Sequence, residues 1–155
     1  MRLREERFLS KSKTVVIGSN SFSGSDLIDL LLDDEQNEVI GISRSPEKNA
    51  LFLPYKRHQK ANFKFYQMDL NSHVSEIIGI LDSFEPEYVV NFAAQSEVAP
   101  SWEHPEQWFQ TNVVALAKLM NALKDRNYLK RYVHISSPEV YGTCEGVVTE
   151  SAPMN

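Results

Sequence analysis

The sequence predicts an α/β fold in which helices cover both faces of a doubly wound parallel sheet. Three observations lead to this prediction. Five short apolar runs recur along the chain, separated by stretches with helical periodicity or turn-forming residues. The runs are apolar almost throughout rather than at alternate positions, which is typical of parallel strands buried on both faces. Small and polar residues follow several of these runs, where strand carboxyl ends form ligand sites.

The predicted strands cover residues 14–17, 38–43, 63–68, 88–92 and 132–135. Right-handed crossovers between them give the strand order 3-2-1-4-5. A helix after the first strand extends to Leu32. A second helix, with apolar residues at helical spacing from Val74, ends before Pro86. Residues 44–60 hold two prolines and several charges, and we expect a long loop there that can contain a helical turn.

A longer helix is predicted over about residues 106–127. Its expected apolar stripe consists of Phe109, Asn112, Val113, Leu116, Leu119, Met120 and Leu123. Aromatic residues near its start would leave an apolar surface if no partner covers them. The fifth strand would have an open edge, which favours association.

Composition excludes several classes of protein. The chain has 155 residues, enough for one domain, with 42% hydrophobic and 24% charged residues. Its formal net charge of −5 and the lack of a basic stripe argue against nucleic acid as a partner. No apolar run is long enough for a membrane span, and none follows the first charged residues as in a signal peptide.

Residues 1–12 mix basic and acidic side chains, and we expect a flexible leader there, followed by one domain over residues 13–155. Cys144 is the only cysteine, which excludes an intrachain disulfide and fits a reducing, cytoplasmic location. The four histidines lack metal-ligand spacing, so no metal site is expected.

The turn between the first strand and first helix indicates a phosphate site. Gly18 allows a sharp turn, Gly24 allows close packing of the helix, and first-turn amides would face the phosphates of a dinucleotide. Ser21 replaces the usual middle glycine, where a left-handed conformation would cost roughly 1–2 kcal/mol, although its hydroxyl can donate to a phosphate. The alternative is a plain turn without a ligand. The candidate cofactor residues here are Gly18, Asn20, Ser21, Phe22, Ser23 and Gly24.

The end of the second strand bears on the choice of cofactor. Ser43 and Arg44 stand where NAD-selective sites of this architecture usually have an acidic residue for the ribose hydroxyls. Arginine can pair with the 2′-phosphate of NADP, which favours NADP over NAD, although Glu47 nearby can reduce the positive charge. The alternative is an exposed loop arginine.

Three further blocks follow strands three, four and five: Asp69-Leu70, Asn91-Phe92-Ala93-Ala94-Gln95-Ser96 and Ser136-Ser137-Pro138-Glu139-Val140-Tyr141-Gly142. Together with the glycine turn, they resemble the extended short-chain dehydrogenase/reductase family. Within that family they are most similar to the nucleotide-sugar epimerases and 4,6-dehydratases, such as those acting on dTDP-glucose and GDP-mannose. The similarity begins at about Thr14 and implies a Rossmann-like cofactor domain.

The resemblance implies several cofactor contacts. Asp69 and Leu70 would meet the adenine, and Phe92, Ala93 and Ala94 would lie against the ribose and pyrophosphate. The remaining implied contacts are Gln95 and Ser96 near the nicotinamide and sugar, Asn112 steadying the strand-four backbone, and Ser136 near the nicotinamide. Alternatively, Asp69 caps the following helix, and Asn112 is only a solvated helix residue.

The resemblance also implies catalytic roles after strand five. Ser137 matches the serine or threonine that hydrogen-bonds the sugar 4-oxygen as a hydride leaves C4. Glu139 matches the glutamate that removes the C5 proton in the 4,6-dehydratases. Alternatively, Ser137 only terminates a strand and Glu139 is a surface acid. Pro138 stands where many dTDP-glucose dehydratases have an acid, which leaves epimerase and ketoreductase activities open.

No tyrosine in the sequence has a lysine four residues later, although the family uses a Tyr-x-x-x-Lys base. We therefore expect an N-terminal fragment with an incomplete domain and no turnover. The whole protein is expected to be an NADP-dependent, alternatively NAD-dependent, 4,6-dehydratase of a dTDP- or GDP-hexose, and a homodimer. The alternatives are a nucleotide-sugar 4-epimerase and, if the gene ends at Asn155, a non-catalytic dinucleotide-binding protein.

Overall fold

The computed structural model describes residues 12–58 and 62–154. Five parallel strands form a sheet in the order β3-β2-β1-β4-β5, which confirms the predicted fold class and strand order. The strands are β1 (Lys13–Ile17), β2 (Glu38–Ser43), β3 (Phe63–Gln67), β4 (Tyr88–Asn91) and β5 (Arg131–His134). The expected leader lies, apart from Ser12, outside the described residues.

The helices are α1 (Phe22–Leu32), α2 (Val74–Phe84), α3 (Val98–Glu103), α4 (Pro105–Trp108) and α5 (Leu116–Leu123). Side chains of β1 alternate between two hydrophobic cores. Val16 packs with α1 on one face of the sheet. Val15 and Ile17 pack with α2 and α5 on the other. Because both faces are covered, successive positions of the strand are apolar.

The connection between β2 and β3 lies on the α1 face of the sheet. It contains two short 3-10 helices, Ala50–Phe52 and Pro54–His58, in the stretch predicted as a loop with room for a helical turn. Leu53 and Tyr55 are buried there and join the same core as Val16. This connection therefore covers β2 without a full crossover helix.

The predicted long helix is wrong in its first half and at its end. A π-helical segment, Phe109–Ala115, separates α4 from α5, and α5 ends at Leu123 rather than near residue 127. Phe109 and Val113 from the predicted stripe are 66% and 53% exposed. Thr111 and Ala115 are buried instead. Hydrogen bonding from i to i+5 turns the helix out of the 3.6-residue phase on which the stripe was based.

At the edge of the sheet, β5 pairs only with β4 among the described strands. Val133 and the neighbouring Ile135 are 37% and 43% exposed. None of the helices in the described residues is long and apolar enough to span a bilayer.

Candidate functional site

A cleft with a volume of about 240 Å³ lies at the carboxyl ends of β1, β2, β3 and β4. The predicted cofactor residues that line it are Gly18, Asn20, Ser21, Ser43, Arg44, Asp69, Leu70, Phe92, Ala93 and Ala94. The cleft is also lined by four residues that are not among the predicted cofactor residues: Ser45, Lys48, Asn71 and Thr111. A larger groove of about 880 Å³ beside β3 and α2 contains none of the predicted site residues.

The two glycines of the first turn are required by close packing. Gly18 has φ +84°, and a Cβ added there would lie 2.7 Å from the Ala93 amide nitrogen. A Cβ on Gly24 would lie 2.4 Å from the Gly18 carbonyl oxygen. The turn is therefore pressed against both the start of α1 and the chain leaving β4, and any larger residue would displace one of them.

Ser21 does not adopt the left-handed conformation considered in the sequence analysis. Its backbone is extended, with φ −72° and ψ 161°, so the expected strain is absent. Its hydroxyl oxygen caps α1 by accepting a hydrogen bond from the Gly24 amide at 3.0 Å. The hydroxyl hydrogen stays available to donate. The α1 N-terminus thus offers the amides of Phe22 and Ser23 together with a hydroxyl donor, a combination suited to an anion.

Asn20 is 6% exposed; its two nitrogen atoms bond to the protein, and its buried Oδ1 has no hydrogen-bond partner among the described residues. Its backbone amide donates to Ser43 Oγ at 2.9 Å. Its side-chain amide donates to the carbonyl oxygens of Ser45 and Pro46, at 3.0 and 2.8 Å, and to Ser45 Oγ at 3.1 Å. Asn20 therefore connects the glycine turn to the segment that follows β2.

The cleft wall after β2 is positively charged. Arg44 and Lys48 line it, and among the described residues neither side chain forms an ion pair. Glu47 does not line the cleft, because its carboxylate accepts hydrogen bonds from the Tyr55 hydroxyl at 2.8 Å and Lys56 Nζ at 2.6 Å. Burial, and then the hydrogen bond and charge of Glu47, raise the pKa of Tyr55 above its usual value.

The opposite wall begins at the end of β3. Asp69 Oδ1 accepts a hydrogen bond from the Asn71 amide at 2.8 Å. The alternative that Asp69 caps the next helix is wrong, because α2 starts after His73 and has no side-chain cap. Asn71 Nδ2 donates to Thr111 Oγ1 at 3.1 Å, which ties this wall to the π-helical segment.

Two asparagines shape the chain after β4. Asn91 is buried, and its Oδ1 accepts from the Ala93 amide at 2.8 Å while Nδ2 donates to the Tyr132 hydroxyl at 3.0 Å. Burial raises the pKa of Tyr132, and the Asn91 hydrogen bond opposes this rise. Asn112 bonds to both the amide and the carbonyl of Gln95, so it is not merely a solvated helix residue.

The remaining predicted residues lie outside the cleft lining. Phe22 and Ser23 are exposed in the first turn of α1, and Ser96 is exposed after β4. The other three follow β5 and are exposed. Ser136 and Ser137 precede a 3-10 helix, Pro138–Tyr141, and Glu139 lies within it. Because β5 ends at His134, Ser137 does not itself terminate the strand. Within residues 12–58 and 62–154, no three histidine, cysteine or acidic side chains are grouped to hold a metal.

The fold and cleft define a Rossmann-like α/β domain. The family model described as GDP-mannose 4,6 dehydratase matches residues 15–155, and the chain belongs to this family. The match confirms the resemblance to extended short-chain dehydrogenase/reductase proteins of the nucleotide-sugar epimerase and dehydratase type.

Individual relatives include both epimerases and dehydratases. A UDP-glucose 4-epimerase of Mycolicibacterium smegmatis is 32% identical over 145 residues, 92% of this chain and 45% of that protein. A dTDP-glucose 4,6-dehydratase of Xanthomonas campestris pv. campestris is 39% identical over 84 residues, 48% of this chain and 24% of that protein. The structure of Bacillus cereus UDP-glucuronic acid 4-epimerase, in complex with UDP-glucuronic acid and NAD, is 26% identical with a TM-score of 0.77, covering 92% of this chain and 46% of that one. The chain spans less than half of each.

Proposed function

We propose that the whole protein is an NADP-dependent nucleotide-sugar 4,6-dehydratase and that this chain provides its cofactor half-site. The observation that carries the proposal is the cleft at the carboxyl ends of the strands, bounded by the glycine turn in a chain of this family. In doubly wound sheets, dinucleotides bind in this crevice.

The residues of the cleft fit a dinucleotide. The turn at Gly18 leaves no side chain between the end of β1 and the α1 amides, and Ser21 adds a hydroxyl donor. These groups would hold the pyrophosphate. The small side chains of Ala93 and Ala94 leave room beside it, and Asp69 has a second carboxylate oxygen to accept from the adenine amine. When bound, the cofactor would accept a hydride from the sugar and return it.

The choice of NADP rests on the wall after β2. Arg44 and Lys48 supply two positive charges, and Glu47 is occupied by Tyr55 and Lys56. Among the described residues, no acidic side chain lines this wall, whereas NAD-selective sites place one there for the ribose hydroxyls. The Bacillus cereus relative is described with NAD, so NAD is the competing cofactor. Equal affinity for NADPH and NADH, unchanged by Arg44→Ala, would reject the NADP proposal.

The sugar chemistry is proposed from the family pattern. Ser137 would hydrogen-bond the sugar 4-oxygen during oxidation at C4. Glu139 would remove the C5 proton, and the C6 hydroxyl would leave as water after taking up a proton from a group other than Pro138. The exposure of both side chains leaves them accessible to a substrate. No tyrosine in residues 1–155 has a lysine four residues later. We therefore propose that the base that deprotonates the 4-hydroxyl is a Tyr-x-x-x-Lys pair elsewhere in the whole protein.

A 4-epimerase is the second candidate, and two observations favour it. The 32% identical relative that matches 92% of this chain is a UDP-glucose 4-epimerase. Pro138 cannot protonate a departing hydroxyl group. An epimerase would use the same transient oxidation at C4 but would eliminate no water.

One incubation separates the two activities. The whole protein should convert dTDP-glucose or GDP-mannose to a 4-keto-6-deoxy sugar in the presence of NADP, detected by mass loss of one water. Epimerisation of a UDP-sugar without that product would reject the dehydratase. Cofactor binding without either reaction would favour a non-catalytic dinucleotide-binding protein.

We also propose a homodimer in the whole protein. The support is the apolar surface around α3 and the π-helical segment, where Trp102 and Phe109 are 85% and 66% exposed. Sedimentation of the whole protein as a monomer at micromolar concentration would reject this assembly.

A further inference from the structure

The segment after β2, residues 44–48, is anchored at two points. The first anchor is Asn20, whose side-chain amide donates to the Ser45 and Pro46 carbonyls and to Ser45 Oγ. Carbonyl oxygens only accept hydrogen bonds, so a flipped carboxamide would place its oxygen against two other oxygens. The orientation of Asn20 is therefore fixed by the segment it holds.

The second anchor is Glu47, at the other side of the segment. Its two carboxylate oxygens are bound by the Tyr55 hydroxyl and Lys56 Nζ. Tyr55 is 2% exposed and belongs to the core, so this anchor is attached to a rigid part of the fold. The anchors together turn the one acidic side chain of the segment away from the cleft.

Arg44 and Lys48 occupy the positions on either side of these anchored residues. Both are exposed and line the cleft, and the Arg44 carbonyl also accepts from Gln67 Nε2 at 3.3 Å. Asn20 itself is in the glycine turn, beside the place proposed for the pyrophosphate. The buried Asn20 carboxamide therefore ties the phosphate turn directly to the segment that carries the two cations.

We propose that Asn20 is a positioning residue for cofactor selectivity: it holds residues 44–48 so that Arg44 and Lys48 bind the 2′-phosphate. This inference rests on the proposed function, because it assumes that the cleft binds an adenine dinucleotide. It assigns to Asn20 an indirect role instead of the direct cofactor contact predicted from the sequence.

The test compares two probes that differ by one phosphate, 2′,5′-ADP and 5′-ADP, with the whole protein in calorimetric titrations. Asn20→Ala should weaken 2′,5′-ADP binding about tenfold, as expected for loss of an ordered charge contact. Binding of 5′-ADP should change less than about twofold, since the backbone of the turn is retained. Adding Asn20→Ala to a variant that lacks both cations, Arg44→Ala with Lys48→Ala, should change 2′,5′-ADP binding little further.

Asn37→Ala is the matched control. Asn37 is also a buried asparagine, 8% exposed, and its side chain holds the Leu31 carbonyl near the other end of β2. Its loss should lower stability without changing the ratio of the two affinities. If Asn20→Ala fails to fold, Asn20→Ser serves instead, because serine keeps a polar group but is too short to span to both carbonyls.

The outcomes separate the two proposals. If the unmodified protein binds neither probe, the proposed function fails. If it binds both, and Asn20→Ala or Asn20→Ser lowers both affinities equally or neither, the positioning role is overturned. An undiminished loss from Asn20→Ala in the background that lacks both Arg44 and Lys48 would also overturn it, since Asn20 would then act independently of these two cations.

Discussion

The side chain of Asn112 forms two hydrogen bonds with the backbone of Gln95, 17 residues earlier in the chain. Its Oδ1 accepts from the Gln95 amide and its Nδ2 donates to the Gln95 carbonyl, both at 2.9 Å. Gln95 lies in the segment after β4 that lines the cleft. The carboxamide thus substitutes for a strand partner where the sheet has ended, and it fixes one wall of the candidate site.

Replacing Asn112 should loosen this wall. Asn112→Ala leaves both Gln95 groups without their partner, and we expect the free energy of unfolding to fall by about 1–3 kcal/mol. Asn112→Asp keeps the acceptor but loses the donor to the carbonyl, so it should also destabilise. Denaturant titration measures the loss. Stability unchanged in both variants would show that the wall does not depend on this contact.

Gly18→Ala tests the packing of the first turn. A left-handed backbone costs a non-glycine residue roughly 1–2 kcal/mol, and the new Cβ, 2.7 Å from Ala93 N, adds a clash with backbone. We expect a loss of at least about 2 kcal/mol, together with weaker dinucleotide binding.

Gly79→Ala is the matched control for that prediction. Gly79 lies within α2, and a Cβ there meets nothing within 4 Å. Alanine should stabilise the helix by about 0.5–1 kcal/mol because it loses less conformational freedom on folding. Equal effects of the two substitutions in thermal or denaturant unfolding would contradict the account of Gly18.

The sequence was sufficient for the sheet but not for contacts between distant residues. The apolar runs at Val15 and Val89 predict buried parallel strands because pattern and burial are both local. The phase of the helix after β4 was missed, since nothing local at Phe109 signals an i to i+5 turn. Lys48 and Thr111 were missed for another reason. Lys48 reaches the cleft from the β2–β3 connection, which has no regular helix, and Thr111 reaches it from the π-helical segment.

Within the candidate site, Asn20 is another residue whose contacts with distant residues the sequence does not predict. Its position in the glycine turn predicts a cofactor contact, yet its carboxamide is engaged by residues 25 and 26 positions later. Spacing within the turn carries no information about those partners. The structure places the residue in the cleft lining, and the positioning role proposed for it depends on those two partners.

Tyr55→Phe should change how stability depends on pH. Burial, followed by the hydrogen bond and charge of Glu47, raises the pKa of Tyr55 in the folded protein. Above about pH 10 the unfolded chain therefore loses this proton before the folded chain does, and stability falls as the pH rises. In the phenylalanine variant, the free energy of unfolding should fall less steeply with pH. At pH 7 it should be lower by about 1 kcal/mol, because the hydrogen bond to Glu47 is lost.

The stability of Tyr55→Phe should still fall to some extent as the pH rises. Burial and Asp82 also raise the pKa of Tyr128, to about 12, and burial raises that of Tyr132. Urea titrations at pH 7, 9 and 10.5 measure the difference. Parallel stability curves for the original protein and Tyr55→Phe would contradict the role of burial at this tyrosine.

Ser21 has two roles to test, as the cap of α1 and as the hydroxyl donor proposed for the pyrophosphate. Alanine and glycine both remove the hydroxyl donor, but they differ in how well they replace the cap. Its hydroxyl caps α1 at Gly24, and replacing a serine cap by alanine costs typically about 1 kcal/mol, whereas glycine costs only a few tenths. Both variants lose the hydroxyl donor proposed for the pyrophosphate. Ser21→Ala should therefore unfold more readily than Ser21→Gly, while both weaken NADPH binding by a similar factor. Glycine gains nothing from its freedom to adopt positive φ, since Ser21 is already extended. If binding instead follows stability, with Ser21→Gly close to the original protein, the hydroxyl serves only as a cap and the phosphates are held by the α1 amides alone.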